Sequence, residues 1–175
     1  MSVPINWTHD AQAIPERGLE VGRAATAEER AALAEALAIV SCERLESRYA
    51  IKPLAAGQFL VTGSVEAEVV QSCVVTLEPV SGLIGEQFEV EFWPPDELPD
   101  PVAGEVAVLG TADREPLEGG LIPIGRLVYE HVAAGLDPYP RKDGATFRWA
   151  DRGDRPDDEG RDSPFAVLAK WKPKG

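Results

Sequence analysis

Between Phe59 and Cys73 the sequence alternates with a period of two: Phe59, Val61, Gly63, Val65, Ala67, Val69, Gln71 and Cys73 fall on one side of an extended chain. Such a repeat marks a strand with one buried face, because a helix would bring residues three and four apart together instead. The run is too long for one flat strand, so a bend or bulge is expected near Gly63. Neighbouring segments supply partners. Leu45, Ser47, Tyr49 and Ile51 share one face while Arg44, Glu46, Arg48 and Lys52 point the other way. A further strand is expected from Cys73 to Leu77. After a connection over Pro79 to Gly85, Phe88, Val90 and Phe92 alternate with Glu89, Glu91 and Trp93, a strand with its acids facing water.

Two segments switch to the helical period. Thr26-Ala27-Glu28-Glu29 matches a capping box, in which the Thr26 hydroxyl and the Glu29 carboxylate each satisfy an amide at a helix start. Leu33, Ala36, Leu37 and Val40 then predict a helix from Ala27 to Val40. A second helix is expected within Leu121 to Leu136, where Ile124, Leu127, Val128, His131, Val132 and Leu136 form a stripe ended by Gly135 and Pro138. Residues 94–116 read as a long excursion rich in proline and acids, with one short strand at Glu105 to Leu109. The fold class is therefore α+β: an antiparallel β-meander covered by helices. A single domain is expected over 1–150. Residues 151–175 form a mobile linker of mixed charge, in which Ser163 and Pro164 start a short amphipathic segment.

At 175 residues and 44% hydrophobic content the chain can build a core without staples. Two cysteines make no disulfide framework, and Cys42 and Cys73 read as small buried hydrophobes in a reducing compartment. The N-terminus lacks a charged start with an apolar run, and no segment reaches the length that spans a bilayer, so a cytoplasmic protein without membrane contact is expected. Thirty acidic against seventeen basic residues give a formal charge of −13, which opposes non-specific binding to DNA and other polyanions. Eleven of the acids lie between Pro53 and Asp113, where there is no Lys or Arg. From Asp137 onward acids and bases nearly balance.

Little in this sequence can carry catalysis. The histidines are His9, near the start, and His131, within a helical pattern, and neither has a partner that spacing identifies. No Gly-Lys-Ser or Gly-Lys-Thr occurs, and no Cys and His cluster has metal-ligand spacing. Aromatic and basic residues interleave only from Tyr139-Pro140-Arg141-Lys142 to Phe147-Arg148-Trp149.

Three blocks in order, Cys73-Val74-Val75-Thr76-Leu77-Glu78-Pro79, Leu121 to Arg141, and Ser163-Pro164-Phe165-Ala166-Val167-Leu168, resemble the YceD-like family, in its alphaproteobacterial branch. The resemblance implies a role in accumulation of large-subunit ribosomal RNA, and so in ribosome assembly. Many members are described as possible metal-binding proteins with a Cys-x-x-Cys pair. Here the first cysteine matches Cys73 and the second position is Thr76. One thiolate cannot make a four-ligand zinc site, so no metal and no cofactor are expected.

The expected function is thus a non-enzymatic assembly factor that binds ribosomal RNA, a basic ribosomal protein of the large subunit, or both. For RNA the expected residues are Tyr139, Arg141, Lys142 and Arg148, which offer stacking and phosphate contacts. For a protein partner they are Glu66, Glu68, Glu89 and Glu91 on one strand face, with Phe165, Leu168 and Trp171 on the tail. The alternatives are a metal-dependent enzyme acting on RNA or nucleotides through clustered carboxylates, and a purely structural interaction module.

Overall fold

A computed structural model describes residues 4–97 and 113–146. They belong to a compact unit that runs Met1–Ala145; Thr146–Gly175 makes up a second, and of that unit Thr146 alone is described. The elements in order are β1 (His9–Asp10), β2 (Leu19–Ala24), α1 (Ala27–Ala36), β3 (Ser41–Pro53), β4 (Phe59–Ser72), β5 (Pro79–Trp93), β6 (Asp113–Pro116), β7 (Leu121–Ile122) and α2 (Ile124–Gly135). Strands β2 to β6 form one sheet in sequence order, antiparallel except for the parallel β5–β6 pair, and β1 pairs with β7 separately. This is the α+β meander expected, with helices on one face.

The alternation sets that face. Leu45, Ser47, Tyr49 and Ile51 of β3, Phe59, Val61, Val65, Ala67 and Val69 of β4, and Ile84, Phe88, Val90 and Phe92 of β5 are all buried. Helix α1 packs on β3, and α2 packs on β4 and β5. The α2 stripe Ile124, Leu127, Val128 and Val132 is fully removed from water, at about 1.5–3 kcal/mol for each large side chain. The capping box of α1 is present in both directions: Glu29 N donates to Thr26 Oγ1 at 3.2 Å, and Thr26 N donates to Glu29 Oε2 at 2.8 Å.

Four expectations change. Helix α1 stops at Ala36 rather than Val40, because Ala38 turns left-handed (φ 53°) and Val40 N already donates to Val70 O of the sheet. Residues 73–77 are a turn, not a strand: Leu77 N bonds back to Cys73 O at 2.9 Å, Cys73 N donates to Glu78 O at 2.8 Å, and Leu77 is left-handed (φ 61°). Strand β5 then starts at Pro79, so the expected connection over 79–85 is itself part of the hairpin.

The bulge lies at Glu43 of β3, where the register shifts between Cys42 and Arg44, while pairing runs unbroken through Gly63. Gly63 serves contact instead. A Cβ there would lie 2.6 Å from the Phe88 ring and 2.8 Å from Arg48 O, so glycine lets an aromatic ring lie across its strand partner. The strand expected at Glu105 to Leu109 falls outside the described residues.

Candidate functional site

The sheet face opposite the helices gathers the acids that the alternation assigns outward. In cross-strand rows, Arg44 pairs with Glu68 and Glu68 with Leu83; Glu46 pairs with Glu66 and Glu66 with Gly85; Ala50 pairs with Thr62 and Thr62 with Glu89; Lys52 pairs with Leu60 and Leu60 with Glu91. Glu66, Glu68, Glu89 and Glu91 thus occupy one face, as their spacing requires. A shallow hollow of about 610 Å³ runs across it, lined by Gly22, Ala50, Thr62 and Ser64 together with Glu20, Arg48 and Gln87.

Counter-charges reach this face from beyond the acid-only run. Arg44 lies 2.9 Å from Glu68 and 3.7 Å from both Glu46 and Glu66, and Arg114 lies 3.5 Å from Glu91 and stacks over Trp93. A linear count could not show this, since β3 precedes the run and Arg114 follows it. Glu89 has no cation within ion-pair distance among the described residues. Exposed pairs of this kind contribute little to stability, and here they offset part of the charge of Glu66, Glu68 and Glu91.

A second cluster forms at the turn that joins β4 to β5. Segment 137–142 runs along it: Val74 N donates to Pro140 O at 2.9 Å, and Gln71 Nε2 donates to Asp137 O at 2.9 Å. Tyr139 stands 72% exposed, with Arg141 exposed beside it. Lys142 is engaged, since its Nζ donates to Glu78 Oε1 at 2.8 Å. The Lys142 ammonium first, and the Thr76 hydroxyl next, hold the Glu78 carboxyl below its ordinary range. Arg148, Phe165, Leu168 and Trp171 lie outside the described residues.

Cys73 is buried as expected but is not a simple hydrophobe. Its sulfur accepts backbone N–H bonds from Val75, Thr76 and Lys142, each at 3.4 Å, and so ties the turn to segment 137–142. Bonds from the Thr76 side chain, then from the Lys142 and Thr76 amides, lower the thiol to about 6 from its ordinary 9.0. A thiol whose folded value is depressed adds stability that is full above its unfolded value and is lost as pH falls to its folded one. Stability is therefore expected to rise between about pH 6 and pH 9. Cys73→Ser should flatten that rise, as read from urea midpoints at the two ends. An equally steep rise in the variant would refute the anionic sulfur.

The histidines are structural in their contacts. His9 Nε2 lies 2.8 Å from Tyr49 Oη, with burial first and Arg23 second lowering its pKa, and His131 Nδ1 lies 2.8 Å from Leu127 O. Among the described residues no three His, Cys, Asp or Glu gather as metal ligands, and no helix is long and apolar enough to cross a membrane. Sequence reasoning missed Leu83, 81% exposed on the acid face, and Leu77, 78% exposed in the turn. Carrying the alternation of Phe88 back to Val80 would have placed Leu83 on the side of Glu89.

The family model described as Large ribosomal RNA subunit accumulation protein YceD matches residues 61–172, more than half of the chain. The match takes in β4 from Val61 onward, the turn at Cys73, β5, α2 and segment 137–142. No curated protein matches, and no solved structure does.

Proposed function

Because the chain belongs to the YceD family, named for accumulation of the large ribosomal RNA subunit, we propose that it is a non-enzymatic assembly factor that holds a basic component of the large subunit. The observation that supports this reading is the collection of Glu66, Glu68, Glu89 and Glu91 on the one sheet face that the helices leave open. A face of this kind draws Lys- and Arg-rich segments by long-range attraction and releases them as salt rises. The formal charge of −13 works in the same direction.

RNA contact takes a smaller share of the proposal. Tyr139 can stack on an unpaired base and Arg141 can meet its phosphate. Lys142, bonded to Glu78, has less to give than its charge suggests. Arg148 and the tail residues Phe165, Leu168 and Trp171 remain candidates for RNA and protein docking respectively.

The test compares the protein with a variant carrying Gln at 66, 68, 89 and 91. Association with the RNA-free protein fraction of large ribosomal subunits should slow by roughly tenfold at low salt, and the difference should close as the Debye length shrinks to about 3 Å at 1 M salt. Glu89→Gln should account for the largest single share, since no described cation offsets it. Equal association rates at low salt would reduce the acid face to a solubility feature. Recovery of activity with Mg²⁺ or Mn²⁺ on RNA would favour the enzyme instead.

A further inference from the structure

Strand β2 lies at one end of the five-stranded sheet, and no described residue pairs with its outer edge. Ala25 N donates to Leu45 O at 2.9 Å, one step beyond the pair Ala24 with Glu46. In an antiparallel ladder hydrogen-bonded and non-hydrogen-bonded pairs alternate. Leu19, Val21 and Arg23 therefore bond to β3, whereas Glu20, Gly22 and Ala24 turn their N–H and C=O groups away from it, toward the open edge. All three are exposed. The strand contains neither the proline nor the bulge that commonly closes an edge to other chains.

This edge leads onto the hollow of the acid face. Glu20, Val21 and Gly22 line the hollow on the β2 side. Behind Gly22 stand Arg48, Ser64 and Gln87 in one cross-strand row, and behind Glu20 stand Ala50, Thr62 and Glu89 in the next. A Cβ at Gly22 would meet only Arg48 Cγ, at 3.9 Å, so a side chain arriving from the edge passes over β2 into the hollow. Among the described residues neither Glu20 nor Glu89 has a cation within ion-pair distance, and Arg48 has no carboxylate within it, while Glu46 and Glu66 share Arg44.

We propose that an extended basic polypeptide segment adds to β2 as a further strand of the sheet, held by the N–H and C=O groups of Glu20, Gly22 and Ala24. Its residue beside Gly22 enters the hollow and offers a hydrogen-bond acceptor to Arg48. Its residues two places to either side are Lys or Arg, because they lie beside Glu20 and beside Ala24, whose neighbour is Glu46. The inference rests on the reading of the sheet face as the seat of a basic component, and adds the edge that holds it and the side-chain pattern it carries. Charge complementarity selects the occupant: the acids repel RNA phosphate, and a second copy of this chain would bring another charge of −13 alongside.

The experiment immobilises the full-length protein and offers it, separately, the RNA-free protein fraction and the protein-free RNA of purified large ribosomal subunits. Gly22→Pro removes the N–H that faces the open edge while sparing the bonds to β3, and Gly22→Ala keeps it; melting curves check that both variants fold. Retention of a basic protein that falls about tenfold in Gly22→Pro and less than about twofold in Gly22→Ala is the expected result. Amide exchange in the wild-type complex is an independent readout, in which the N–H groups of Glu20, Gly22 and Ala24 should slow on binding. Unchanged exchange at all three, or equal retention by a folded Gly22→Pro, overturns the added strand while leaving the acid-face reading standing. Failure of the wild-type protein to retain any basic protein overturns both. Retention of RNA that Gly22→Pro abolishes, or a dimer that Gly22→Pro dissociates, assigns the edge to another occupant and overturns the proposal as well.

Discussion

Gly125→Ala is expected to destabilise the protein by about 3 kcal/mol or more, at the upper end of the range for overpacking. Considered as a helix position alone, the change should stabilise by roughly 1 kcal/mol, because alanine is the better helix former. Packing reverses the sign. The first turn of α2 lies against the extended segment 5–7, where Gly125 N donates to Trp7 O at 2.8 Å. A Cβ at this point would collide with the Ile5 carbonyl oxygen and would lie 2.8 Å from its carbon and 2.9 Å from Trp7 N. All three are backbone atoms, so no rotamer change relieves the contact. The N-terminal segment must lift, and with it Ile5 and Trp7, which are 1% and 3% exposed. Urea unfolding measures the loss, and faster amide exchange of residues near 5–9 locates it. A variant as stable as the parent would show that segment 5–7 does not pack there.

The second large effect separates the two faces of one strand. Phe92→Ala should cost about 3–5 kcal/mol, the range for emptying a buried phenylalanine site, whereas Leu83→Ala should stay within about 0.5 kcal/mol. Phe92 is 0% exposed, with Phe59 opposite on one side and Glu115 of β6 on the other, and Leu83 on the same strand is 81% exposed. Urea midpoints of the two variants decide the matter, and similar losses would mean that the face assignment of β5 is wrong.

Both arguments depend on which features a linear reading can carry. The α1 capping box and the α2 stripe were legible because each is a local rule whose partners lie within a few residues. The alternation in β4 was legible for the same reason. Gly63 was not, since a glycine in a strand fits both a bulge and a close approach, and only Phe88 on the neighbouring strand decides between them. The turn at 73–77 was hidden by its β-branched residues, which suit a strand until Leu77 adopts a positive φ. The outward placement of Glu66, Glu68, Glu89 and Glu91 followed from the period of two. Their partial compensation by Arg44 and Arg114 did not, because it depends on strand neighbours. Cys73 shows the same limit in another form: one of its three backbone donors, Lys142 N, is supplied by the far end of the described chain.

Among the described residues strand β1 pairs with β7 alone, with His9 opposite Ile122 and Asp10 opposite Leu121. The meander β2 to β5, by contrast, pairs each strand with the next along the chain. During synthesis the meander can therefore close in the order in which it emerges, by loops that lose little entropy. The segment carrying Ile5 and Trp7 can reach Arg23 and Glu29 early, through the Trp7 ring, but it cannot complete its packing until residues 121–125 have been made, because α2 supplies the surface on which its backbone lies. At about 5–20 residues per second that interval lasts on the order of ten seconds. For that time the backbone of residues 5–7 lacks the helix that will cover it, so the α2 side of this segment is the last part of the described core to close.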